Sequence, residues 1–182
     1  GTIRDAAGNN STLTHNAVSA NSSYKVDTTA PTANFTAATD DVGTVQGALS
    51  SGNTTDDTAL VLSGSNESGS SVKVYNGSSE LGSATVSGTS WSYTATVANG
   101  VTYQFNVRET DLAGNTSNAT SNLAVTGDTI PLTVSSVAIT GATGDQNNFV
   151  NAGDLVSVTV NFTENASVTG TPQLTLVVGS TP

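Results

Sequence analysis

An all-β sandwich is the fold class this sequence predicts, on three observations. Apolar and polar residues alternate in short runs, turn dipeptides separate the runs, and no stretch carries a helical period of useful length. Val101-Thr102-Tyr103-Gln104-Phe105-Asn106-Val107-Arg108 alternates without a break, the mark of a strand with one buried face. Leu155 to Phe162 does the same, with Val156, Val158, Val160 and Phe162 on one side. Shorter runs fit the same mould: Leu60 and Leu62, Val72 and Val74, Trp91 and Tyr93, and Val134 with Val137 to Ile139. Val and Thr, which favour strands, dominate them. Asn76-Gly77, Ser87-Gly88, Asn99-Gly100 and Gly114-Asn115 supply the turns.

The chain also repeats itself. Asp27-Thr28-Thr29-Ala30-Pro31 returns 101 residues later as Asp128-Thr129-Ile130-Pro131, and Asp5-Ala6-Ala7-Gly8-Asn9 returns 106 residues later as Asp111-Leu112-Ala113-Gly114-Asn115. Asp57 stands ten residues before Glu67, as Asp154 stands ten before Glu164, with one strand between in each case. A period near 100 residues is the size of one immunoglobulin-like domain. The division expected is therefore tandem immunoglobulin-like β-sandwich domains, one complete and two partial. Residues 1–26 are the last strands of a preceding domain, 27–127 a complete domain, and 128–182 the opening strands of a following one. The partial pieces leave open sheet edges, so strand exchange between chains is physically reasonable for them.

Composition removes several function classes. Four basic against 14 acidic residues give a net charge of −10, the wrong sign for a nucleic-acid backbone or an anionic membrane surface. No Cys means no disulfide framework and no thiolate metal site. One His argues against a His-based zinc site or a Ser-His-Asp triad, and His15, in Thr14-His15-Asn16, reads as a surface residue. No run of about 18 apolar residues is present to cross a membrane, and the first residues lack the apolar segment of a secretory signal.

The acids carry the functional signal. On a seven-stranded sandwich the loops alternate between two poles. Asp27, Glu67 and Asp111 fall at the N-terminal pole of the complete domain, and Asp40, Asp41, Asp56 and Asp57 at its C-terminal pole. That second pole faces Asp128 and Glu164 of the next domain, which repeat the places of Asp27 and Glu67. Carboxylates gathered so closely repel unless something neutralises them. Oxygen ligands without His or Cys describe a hard cation, and Ca²⁺, which accepts about six to eight oxygens in loose geometry, fits better than Mg²⁺. A single Asp in a turn is explained by bonding to its own backbone, but the adjacent pairs Asp40-Asp41 and Asp56-Asp57 are not.

Asp27-Thr-Thr-Ala-Pro31, Thr39-Asp-Asp-Val-Gly43, Leu62-Ser-Gly64, Trp91-Ser-Tyr93 and Asp111-Leu-Ala-Gly-Asn115 together resemble the bacterial Ig-like repeats of giant repeats-in-toxin adhesins. The likeness covers 27–127. Ser136-Val-Ala-Ile139, Asn151-Ala-Gly-Asp154 and Thr171-Pro-Gln-Leu174 resemble a second repeat type of the same adhesins, and residues 1–26 resemble its tail. The resemblance implies a non-catalytic extender on the bacterial cell surface, exported by type I secretion. Strings of such domains, stiffened by calcium at their linkers, hold a ligand-binding tip away from the cell. It also implies that the neighbouring Ig-like domains of the same chain are the partners, with the nine acids named above as ligands. Ile130 departs from the Thr-Thr-Ala-Pro pattern, and the glycine-aspartate nonapeptides of the secretion end are absent from this stretch.

Two other readings remain open at this level. A domain holding a sugar or protein ligand needs exposed aromatics in a hollow. Only four Tyr, four Phe and one Trp are available, and Trp91, alternating with Tyr93, reads as a core position. A spacer within a secreted enzyme would show the same residues. Paired carboxylates also perform glycoside hydrolysis, but these lie at sandwich ends without pocket-lining aromatics. Arg108 and Glu109, ending a strand, read as a surface pair of little energetic value.

Overall fold

A computed structural model describes residues 2–11, 21–44, 46–147 and 149–175; His15 lies outside the described residues. The strands are β1 (Ala37–Asp40), β2 (Gly47–Ala48), β3 (Asn53–Thr55), β4 (Ala59–Ser65), β5 (Ser71–Asn76), β6 (Ser79–Ser83), β7 (Thr85–Ser87), β8 (Ser90–Thr96), β9 (Thr102–Thr110), β10 (Leu123–Gly127), β11 (Val134–Thr143) and β12 (Leu155–Phe162). The chain is all-β, and β1 to β10 form an immunoglobulin-like sandwich. One sheet runs β2-β1-β4-β8-β7, the other β3-β10-β9-β5-β6.

Ten strands stand where seven were expected. The long alternating runs are there: β9 covers 102–110 and β12 covers 155–162. Two of the three extra strands come from 47–55, which lines an edge of each sheet, and the third from 79–87, where β6 and β7 lie on the opposite edges of the two sheets. β2 folds back antiparallel on β1, with Thr39 opposite Ala48. β3 then crosses to the other sheet and runs parallel to β10, with Thr54 opposite Thr126. Strands of two or three residues made of Gly, Ala, Asn and Thr show no period of their own; the partner strand creates them.

The alternation seen in the sequence becomes the core. Ala38, Leu60, Leu62, Trp91 and Ala95 face inward from the first sheet, and Val72, Val74, Phe105, Val107 and Val125 from the second. Trp91 is a core residue, its ring centroid 5.8 Å from that of Phe35, and its indole N–H donates to the Asn34 carbonyl at 3.0 Å. Gly64 is its direct cross-strand partner, and a β-carbon there would collide with the indole and with the Asn34 carbonyl. Glycine is thus required by close approach.

β11 and β12 form a separate antiparallel hairpin, with register shifts between Val134 and Ser136 and between Ile139 and Gly141. Val137, Ile139 and Ala142 are paired with Val160, Val158 and Val156, so all six aliphatic side chains share one face.

Phe105 is fully buried between the sheets. Phe105→Ala should cost about 3–5 kcal/mol of unfolding free energy in urea titration, by lost transfer energy and an unfilled cavity. A loss below about 1 kcal/mol would place Phe105 outside the core.

Candidate functional site

Topology decides which acids meet. β1 and β3 both run towards the C-terminal pole, β4 starts there, and β10 leaves the sandwich there. Asp128, the first residue beyond β10, donates its N–H to the Thr55 carbonyl at 2.8 Å. Asp40, 3% exposed, closes a local turn: its Oδ1 accepts from the Val42 N–H at 3.0 Å, and its Oδ2 accepts from the Thr55 hydroxyl at 2.8 Å. Asp57, 2% exposed, accepts from the Ala59 N–H at 2.7 Å through Oδ1, but no protein donor reaches its Oδ2. Asp56 is exposed and rests against Gly43, whose φ of 70° and missing β-carbon let the loop come that close.

Two hollows share these residues. One of about 210 Å³ is lined by Asp40, Thr55, Asp56 and Asp128, among others. The other, about 440 Å³, is lined by Val42, Asp56, Asp128, Ile130, Leu132 and Glu164. Asp56 and Asp128 therefore stand between the sandwich and Glu164 beyond β12. Asp41 lines neither hollow and is exposed. Among the described residues, no three acidic or His side chains stand close enough to enclose an ion as they are.

At the N-terminal pole the structure separates roles the sequence had merged. Asp111 closes the loop between β9 and β10. Its Oδ1 accepts from the Ala113 and Asn115 N–H groups at 2.9 and 2.8 Å, and its Oδ2 accepts from Asn115 Nδ2 at 2.9 Å. Asp5 forms the same three bonds with Ala7 and Asn9, at 3.0, 2.9 and 2.9 Å. The two Asp-x-Ala-Gly-Asn copies are thus one loop used twice. Asn115 also donates to the Asp27 backbone carbonyl at 3.2 Å, tying the incoming chain to the sandwich, while the Asp27 side chain accepts from the Thr29 N–H at 3.0 Å. The Glu67 side chain is exposed.

Glu109 corrects the sequence reading. It is not half of a surface pair with Arg108: neighbours on a strand point to opposite faces, and Glu109 is 0% exposed. It continues the inward series Phe105, Val107, and accepts from the Glu67 N–H and the Ser70 hydroxyl, both at 2.5 Å. The uninterrupted alternation from Val101 carries this signal if followed one residue past Arg108. Arg108 instead lies 5.2 Å from the Tyr75 ring centre.

Base is scarce around both poles. Lys73 pairs with Glu80 at 2.9 Å on the outer face, and Arg4 donates to Asn10 at 2.8 Å. Side-chain hydrogen bonding from Asn115, reinforced by backbone N–H groups, holds the Asp111 carboxyl below its ordinary value of 3.8, and Asn9 does the same for Asp5. A folded value below the unfolded one means that the stabilisation from Asp111 is complete above 3.8 and is lost as pH falls through the lower folded value. Carboxyl NMR titration should therefore give a midpoint below 3.8 for Asp111, and Asp111→Asn should remove that part of the acid dependence of stability. A midpoint at or above 3.8 contradicts the loop as described.

The sequence model of a family described as bacterial Ig-like domain matches residues 27–129, a span that takes in every strand of the sandwich. No curated protein and no solved structure matches the chain. Domains of this kind are typically non-catalytic and usually extracellular or surface-exposed. With more than half of its length inside that match, the chain belongs to the bacterial Ig-like domain family.

Proposed function

We propose that the chain is an extender segment of a secreted bacterial surface adhesin, in which calcium at domain junctions turns a jointed string into a rod. The division into a complete module, 27–127, between parts of its neighbours, 1–26 and 128–182, belongs to this reading. The observation that carries it is the sharing of one hollow by Asp56 of the sandwich, Asp128 of the connector and Glu164 beyond β12. An ion taken up there would draw carboxylates from both sides of the connector together.

The residues fit a hard cation. The acids at this pole offer only oxygen, and Asp57 holds a buried oxygen with no donor. Asp56, Asp128 and Glu164 would hold the ion, with Asp57 and Asp40 behind them; its charge would offset the repulsion that otherwise favours an open joint. Without it, the direct bonds of Asp128 to Thr55 and of the Thr129 N–H to Asn99 Oδ1, each at 2.8 Å, still fix where the connector leaves the sandwich. The ion is therefore assigned to the freedom beyond Thr129. At the N-terminal pole the Asp27 and Glu67 side chains are the corresponding ligands, while Asp111 already closes its own loop.

Extracellular calcium modules bind with Kd of about 10⁻⁴–10⁻³ M. A sandwich whose longer strands have seven to nine residues would add about 25–30 Å of rod per module. Small-angle scattering of the chain in millimolar calcium should give a narrower distribution of long dimensions than in chelator. Asp56→Asn with Asp128→Asn should abolish that difference. Identical scattering with and without calcium would sink the reading.

A further inference from the structure

Asparagine is followed by glycine at two places in the sequence, Asn76-Gly77 and Asn99-Gly100. This is the pair most open to self-modification. The backbone nitrogen of the second residue attacks the side-chain amide carbon of the first, and glycine, without a β-carbon, puts least in its way. Attack forms the C–N bond of a five-membered succinimide and expels the side-chain nitrogen as ammonia. Water then opens the ring. Opening at one carbonyl gives aspartate; opening at the other gives isoaspartate, whose main chain runs through the former side chain. Water is consumed and ammonia released, with no oxidant and no cofactor.

Attack needs a glycine nitrogen free to lose its proton and an amide carbon free to turn towards it. The fold occupies both groups in both pairs, but with different partners. At the first pair, the Gly77 N–H donates to the Gln104 carbonyl at 2.8 Å, and Asn76 Oδ1 accepts from the Gln104 N–H at 2.8 Å. Gln104 belongs to β9, to which β5 is laddered along its whole length, and both strands are interior to their sheet. Freeing Asn76 means parting them. At the second pair, Asn99 is exposed and lies outside the strands, in a turn closed by a bond of 3.3 Å from the Val101 N–H to the Ala98 carbonyl. The Gly100 N–H donates to the Gly127 carbonyl at 2.8 Å, and Asn99 Oδ1 accepts from the Thr129 N–H at 2.8 Å. Both partners belong to the end of β10 and the connector beyond it. Freeing Asn99 takes only the fraying of that end, with the core intact.

We propose that Asn99 is a site of spontaneous deamidation controlled by the connector: it converts when Gly127 to Thr129 lift from the turn, while the sheet protects Asn76. Conversion acts back on the connector. Isoaspartate carries its carboxylate directly on Cα, one atom shorter than the asparagine side chain, and loses its reach to the Thr129 N–H. Either product adds a negative charge against a connector that already carries Asp128, in a chain of net charge −10. The joint thereby loosens irreversibly with age. The proposal rests on neutral hydrogen bonds and stands whether or not an ion occupies the junction.

The test is peptide mapping of the full chain after incubation at physiological temperature in mildly alkaline, calcium-free buffer. Cleavage after Lys73 and Arg108 yields one peptide holding both pairs, and fragment spectra assign each gain of one mass unit to its residue. In the native chain Asn99 should convert about tenfold faster than Asn76, because it opens locally. In urea the two should convert at comparable rates. A native rate at Asn76 equal to or above that at Asn99 overturns the proposal, as does an Asn99 that converts in urea and stays intact in the folded chain. The isoaspartate form, separated by chromatography, should exchange its Thr129 amide hydrogen faster than fresh protein does. Unchanged exchange at Thr129 overturns the effect on the connector.

Discussion

Three carboxylates buried in a domain with almost no base govern this molecule. Asp40 and Asp57 sit under one end of an aliphatic core and Glu109 under the other. Withdrawing charge from water is among the largest penalties a fold can carry, and apolar packing between the sheets does nothing to relieve it. Relief comes in graded form. Asp40 has a donor on each oxygen, Asp57 and Glu109 have donors on only one, and the exposed acids Asp56, Asp128 and Glu164 are left to water or to an ion.

The strands legible in the sequence were those whose period comes from a whole buried face. Leu60 and Leu62, Val72 and Val74, Phe105 and Val107 declare themselves because both sheets press on them. β2, β3 and β7 do not. They have two or three residues, too few to show a period: β3 is laddered to β10 some seventy residues away, and β2 and β7 fold back on their near neighbours β1 and β8. Pole assignment was legible for the same reason as the long strands: once direction alternates, the end at which each loop turns follows. The state of each acid was not. Asp111 and Asp40 both bind their own loops, while Asp57 uses one oxygen on the Ala59 N–H and keeps the other without a protein donor. Glu109 was misread because a charged residue at the end of an alternating run was assumed to face out; the pattern that placed Val107 inward placed Glu109 inward as well.

The repeated Asp-x-Ala-Gly-Asn loop shows how one local solution is reused. Its aspartate folds the loop on itself, so its asparagine can be fixed independently of any neighbour. In the sandwich that asparagine reaches the Asp27 carbonyl, and at the other pole Asn99 accepts from Thr129. Each connector is thus rooted by an amide before charge enters the picture. Neutral bonds of this kind set where the chain enters and leaves the sandwich.

The chain enters the sandwich at one pole and leaves from β10 at the other. Tension between its ends would therefore run along the strands. β1 is laddered to β4, and β10 is held on both sides, antiparallel to β9 and parallel to β3. Pulled in that direction, the hydrogen bonds lie across the load and must yield as a group, where a peeling geometry would let them fail one after another.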